Sequence, residues 1–203
     1  MMRTILSLSF IALFGLIACG DDDDIDSDTE ARWAYLGFDT AIDKALNLGF
    51  DGFNAASSAN IPTQSGVGDD TGTIDIDGQV DQGASDNKGM RLLVTLVDYS
   101  DGSFVDPDTD AEVLIAYDSL ADTPPALDLS LRNIPNGTFT GTLLGTILLS
   151  GDINAEADFN LTLAGEIEAD PVNAGQVRRK AGTLTILGTV VSGDGTFNVN
   201  ISR

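Results

Sequence analysis

Ile153-Asn154-Ala155-Glu156-Ala157-Asp158-Phe159-Asn160-Leu161-Thr162-Leu163-Ala164-Gly165-Glu166-Ile167 is the stretch that decides the fold. Ile153, Ala155, Ala157, Phe159, Leu161, Leu163 and Ile167 take one side, and Asn154, Glu156, Asp158, Asn160, Thr162 and Glu166 take the other. Successive side chains of a strand point to opposite faces, so this alternation makes one apolar face and one wet face, as antiparallel sheets have. The same period of two recurs at Ile74, Ile76 and Val80, at Leu127, Leu129 and Leu131, at Leu184, Ile186 and Val190, and at Phe197, Val199 and Ile201. Asp101-Gly102, Asn136-Gly137, Gly151-Asp152 and Gly193-Asp194-Gly195 separate the runs, and these residues favour tight reversal. About eight strands are predicted, near 72–81, 89–99, 112–119, 126–133, 137–149, 152–168, 181–192 and 195–202. Gly141 and Gly145 interrupt the inward face of the fifth, where a missing side chain permits a sharp bend or a closely packed helix.

Upstream the period is helical. Ser27-Asp28-Thr29-Glu30 has the spacing of a capping box. Tyr35, Phe38, Ile42, Ala45 and Gly49 follow at steps of three and four, with Trp33, Leu46, Phe50 and Phe53 widening the stripe. Gly37, Gly49 and Gly52 each cost about 1 kcal/mol relative to Ala, so a break near 37 and fraying after 48 are expected. Residues 57–68 read as a loop. One short helix cannot cover eight strands lying flat. The expected fold is therefore mainly β, a curved sheet or up-and-down barrel with the amino-terminal helix packed on it, and a two-sheet β-sandwich is the alternative.

The composition narrows the chemistry. The 203 residues include one Cys and no His, which removes Ser-His-Asp and Cys-His nucleophiles and Cys/His zinc sites within one chain. With 10 Lys and Arg against 32 Asp and Glu, the formal charge is -22. A nucleic acid partner is disfavoured, because phosphate backbones are held by clustered cations.

Met1-Met2-Arg3 gives a basic start, and residues 5–17 carry no charge. The apolar run is shorter than the roughly 20 residues a spanning helix needs, so it reads as an export signal. Leu16-Ile17-Ala18-Cys19 then resembles the lipobox of bacterial lipoproteins, with an aliphatic residue three before Cys and a small one just before it. That resemblance implies cleavage before Cys19, a diacylglycerol on its thiol, an acylated amino group and membrane attachment through the acylated Cys19. Several acyl chains give a durable anchor, since each buried methylene contributes about 0.8 kcal/mol. Residues 1–18 would be the signal peptide, 19–28 an acidic tether and 29–203 a single helix-plus-β domain. Gly20, in place of the Asp that retains such proteins in the inner membrane, implies the outer membrane, on its periplasmic side or at the cell surface. Asp21-Asp22-Asp23-Asp24 reads as a solvated tether, and it also resembles the surface-export signals of some lipoproteins.

Asp106, Asp108, Asp110 and Glu112 alternate as the oxygen ligands of a calcium loop do, but Ala111 stands at the turn Gly and Tyr117 at the distal Glu of the EF-hand pattern. They are metal candidates, beside the plainer reading of a solvated hairpin. Arg178-Arg179-Lys180 is a basic cluster suited to lipid headgroups or to solubility. No residue is singled out as catalytic. The leading functional expectation is a non-enzymatic binding or interaction module of the envelope, with an envelope protein or a lipid as partner. The second is a carrier of a lipid or other apolar ligand, and the third a carboxylate-dependent hydrolase. An apolar cavity between helix and sheet favours the carrier, a filled core the module, and convergent buried carboxylates the enzyme.

Overall fold

The computed structural model describes residues 24–203. The expected signal peptide and the expected lipidation site Cys19 lie outside the described residues. Ser27 caps the first helix: its hydroxyl accepts the Glu30 amide at 3.2 Å, and the Glu30 carboxylate accepts the Asp26 amide at 2.9 Å. The helical element has two segments, α1 (Asp28–Leu36) and α2 (Asp39–Ala55), broken at Gly37 and Phe38 as the glycine suggests. Fraying after residue 48 does not occur, because Gly49 and Gly52 are pressed against strands and packing outweighs their low propensity.

Twelve strands follow: β1 (Asn60–Val67), β2 (Thr71–Val80), β3 (Lys88–Ser100), β4 (Phe104–Val105), β5 (Glu112–Val113), β6 (Ile115–Ser119), β7 (Ala126–Arg132), β8 (Thr138–Gly151), β9 (Ala155–Ala169), β10 (Val177–Arg179), β11 (Thr185–Ser192) and β12 (Gly195–Ser202). Ten form one antiparallel sheet in the order β1-β2-β3-β6-β8-β9-β11-β12, and β4 and β5 make a small separate hairpin. β6 and β7 lie end to end between β3 and β8, with β7 on Thr138 to Leu144 of β8 and β6 on Ile147 to Gly151. β10 and β11 share β9 in the same way. The sheet thus has eight strand positions, two of them interrupted.

The loop expected over residues 57–68 is instead the edge strand β1. Its sequence carries little apolar signal because only Ile61 is buried, and Pro62 is tolerated at an edge. Neither the closed barrel nor the sandwich forms. β1 and β12 are the two ends of the strand order and do not pair with each other. α1 packs against β12, while α2 packs against β1, β2, β3 and β10, so the helices fill the seam that strand pairing leaves open. The inward residues Ile74, Leu92, Leu127, Leu143, Phe159, Leu161 and Val190 join Tyr35, Phe38, Ile42 and Leu46 in one core. Gly145, at φ 123°, brings β8 within a Cβ contact distance of 3.0 Å from Pro125, in the gap between β6 and β7. Gly141 gives its space to the Leu129 side chain. Both glycines serve strand packing rather than a helix approach.

Candidate functional site

Three glycines decide whether a cavity separates helices and sheet. A Cβ at Gly37 would fall 2.2 Å from the Tyr117 hydroxyl, one at Gly52 2.7 Å from Ile61 Cδ1, and one at Gly49 3.1 Å from Met90 Sδ. The helices therefore touch the sheet at backbone distance. Tyr117 donates to the Ala34 carbonyl at 3.1 Å, and its ring is tilted on Phe38 with centroids 5.5 Å apart. This interface is filled at each of these points.

Two buried acids hold the helices in place. Asp39, 3% exposed, opens α2 and accepts from Arg179 Nη1 at 2.8 Å, from the Tyr35 hydroxyl at 2.7 Å and from Arg203. Arg179 also reaches the Asp43 carboxylate through Nε at 2.8 Å and Nη2 at 2.9 Å, and the Asp39 carbonyl at 2.6 Å. Burial opposes the charge on Asp39, but Arg179 and then Arg203 outweigh it and hold the carboxyl below its ordinary value. Burial pushes the Tyr35 phenol well up. The basic cluster is thus split. Arg179 points into the core, while Arg178 and Lys180 pair outside with Glu168 and Glu166.

The four candidate calcium residues do not converge, and of them Asp106 and Asp108 meet on Arg32. Asp106 is fully buried and accepts from Trp33 Nε1 at 2.8 Å, from the Thr109 hydroxyl at 2.6 Å and from Arg32. Burial acts to raise its pKa, but the Thr109 and Trp33 hydrogen bonds, the Asp108 amide and Arg32 bring it down to about 2. Asp108 shares Arg32, Asp110 forms the turn with a φ of 57°, and Glu112 accepts from Ser103 at 2.8 Å on the other side of the hairpin. Among the described residues no group of three or more His, Cys, Asp or Glu is placed to hold a metal ion. The segment is a clasp between α1 and the β4-β5 hairpin. Trp33 is legible as part of the apolar helical stripe, but its role as a donor to Asp106 leaves no trace in a linear pattern.

The described part of the expected tether is docked. Ile25 is 2% exposed, and its amide donates to the Ser192 hydroxyl at 3.0 Å. That hydroxyl lies 3.3 Å from Asp24 Oδ1, and Asp28 accepts the Asn198 amide at 2.6 Å. Residues 24–28, expected to be solvated, are docked on the β11-β12 hairpin because one apolar residue interrupts the acidic run.

On the outward face a hollow of about 610 Å³ crosses β3, β7, β8 and β9. Arg91, Asp128, Thr142 and Thr162 form one register row along its wall, and Gly89, Ser130, Thr140 and Ala164 form the other. The second row is hollow because its side chains are short. Leu93 and Leu144, both exposed, flank Ala126 in the next row, and Leu187 continues the first. Apolar and hydroxyl groups dominate this patch on a chain of charge -22. No helix among the described residues is long and apolar enough to cross a membrane. No protein-family model, curated protein or solved structure matches the chain.

Proposed function

We propose that the protein is a lipid-anchored lipoprotein of the bacterial outer membrane, attached through acylated Cys19, whose β domain is a non-enzymatic interaction module. The observation that carries this reading is the exterior hollow, an apolar-floored and hydroxyl-rimmed depression in a surface otherwise dominated by acids. The filled contact at Gly37, Gly49 and Gly52 weighs against an apolar ligand between helix and sheet. The two buried acids, Asp39 and Asp106, are each bound by arginine, which weighs against a hydrolytic carboxylate waiting for substrate.

The test has two parts. Metabolic labelling with a fatty acid should mark the protein and keep it with membranes, and Cys19→Ser should abolish both. A photo-crosslinking residue at Thr142 should then yield a discrete adduct in intact cells, and the same residue at Asn173, remote from the hollow, should not. Labelling of the Cys19→Ser variant would overturn the anchor, and equal silence at Thr142 and Asn173 would overturn the binding face.

A further inference from the structure

We infer that the docked segment Asp24 to Asp28 fixes which end of the domain faces the bilayer, so that the exterior hollow is turned away from the lipid surface. This rests on the anchoring through Cys19 proposed above.

The strand register divides the sheet into two ends. The β11-β12 turn at Gly193 and Asp194, the β8-β9 turn at Gly151 and Asp152, and the β1-β2 turn at Asp69 and Asp70 lie at one end, since Val191 pairs with Asp158, Leu149 with Ala155, and Thr71 with Ser100. The β2-β3 connection, the β7-β8 connection and residue 203 lie at the other. Ile25 and Asp24 are latched to Ser192 at the first end. Five steps separate Cys19 from Asp24, and a fully extended chain spans at most about 3.6 Å per residue, so the latch lies within roughly 18 Å of the acylated residue.

The hollow lies toward the other end. On β9, Leu163 at its floor is five residues from Asp158, which lines a notch with Asp24, or roughly 17 Å at strand rise. Asp69, Asp70, Asp152 and Asp194 lie in the turns of the latched end. At the far end the cations Arg91, Arg178, Lys180 and Arg203 are each paired with a carboxylate. An anionic leaflet repels the first group over about 8 Å at physiological salt. Repulsion does not turn the domain over at the latch, because Ile25 is buried and its amide is held by Ser192.

The experiment uses the full acylated chain in vesicles that carry an energy acceptor on their headgroups. With Cys19 occupied by lipid, Asp194→Cys or Asn173→Cys supplies the free thiol for a donor dye. Transfer should be several-fold stronger from position 194 than from 173. Ile25→Ser with Ser192→Ala should shrink that difference while the far-ultraviolet spectrum and the unfolding cooperativity stay unchanged. Vesicle flotation with equal transfer from both positions would overturn the orientation and leave the anchor standing. A chain that does not float would overturn the anchor and the orientation together.

Discussion

Asp39 and Asp106 are both buried, both held by arginine and both at a helix-to-sheet contact, yet their surroundings differ. Asp39 meets an arginine as buried as itself, and Arg179 spends its donors on three separate acceptors across α2. Asp106 meets Arg32, which is partly open to solvent and shared with the exposed Asp108, and whose buried Nε has no partner among the described residues. The difference teaches that burial of the acid alone does not set what an ion pair is worth. What counts is how completely the partner is desolvated and whether its remaining donors are met.

Arg179→Met probes the closed network and should have the largest effect. It leaves Asp39 and Asp43 facing each other without their shared cation, and a loss of about 3–5 kcal/mol in denaturant unfolding is expected. A loss under about 1 kcal/mol would show that Arg203 alone satisfies Asp39. Ile25→Ala asks whether the amino-terminal latch is as much part of the core as the two acids. Truncating a buried Ile costs about 2–5 kcal/mol, and a value near the low end is expected here because the residue lies at a sheet edge.

Asp106→Asn breaks the more open pair. The amide still accepts from Trp33 and Thr109, so a loss of about 1–2 kcal/mol is expected, smaller than for Arg179→Met. Acid separates the same sites by their titration. Both carboxyls are held below their ordinary value, so the stability they contribute is complete above about pH 4 and is lost as pH falls through the lowered values, about 2 for Asp106. The fall in melting temperature between about pH 4 and pH 2 should be shallower in the Asp106→Asn variant. Asp110→Asn with Glu112→Gln should change stability by less than about 0.5 kcal/mol, since these exposed acids touch neither pair. A calcium-dependent rise in melting temperature that this double variant removes would restore the loop as a metal site.

Much of the architecture is legible in the chain because the strand signal is periodic. β9 reads directly, since its alternation of buried and exposed residues continues without a break from Ala155 to Leu163. β1 is hidden because an edge strand with a single buried side chain has no alternation to show. β10 is hidden because one of its two inward residues is Arg179, and nothing in the linear pattern signals that Asp39, 140 positions earlier, will neutralise it. The failure to close as a barrel is equally invisible, because pairing of β1 with β12 depends on the helices between them and not on either strand. As for the site, the lipobox resemblance is a local pattern that a linear reading can propose, whereas the hollow arises from Gly89, Ser130, Thr140 and Ala164 on four different strands. Only the register brings those small residues into one row.

The seam filled by α1 and α2 has a consequence for how the chain reaches its native state. The Ile25 amide is paired with a hydroxyl 167 positions later, and Asp39 with an arginine 164 positions later, at the last residue of the sequence. The first elements made are the ones that must dock on the last. Contacts of such span are entropically expensive to form and slow folding. A chain made amino terminus first has no β11 or β12 for its helices to close upon until those strands have been made. Delay in closure is therefore built into the topology, and the apolar faces of α1 and α2 wait uncovered for partners that the ribosome supplies late.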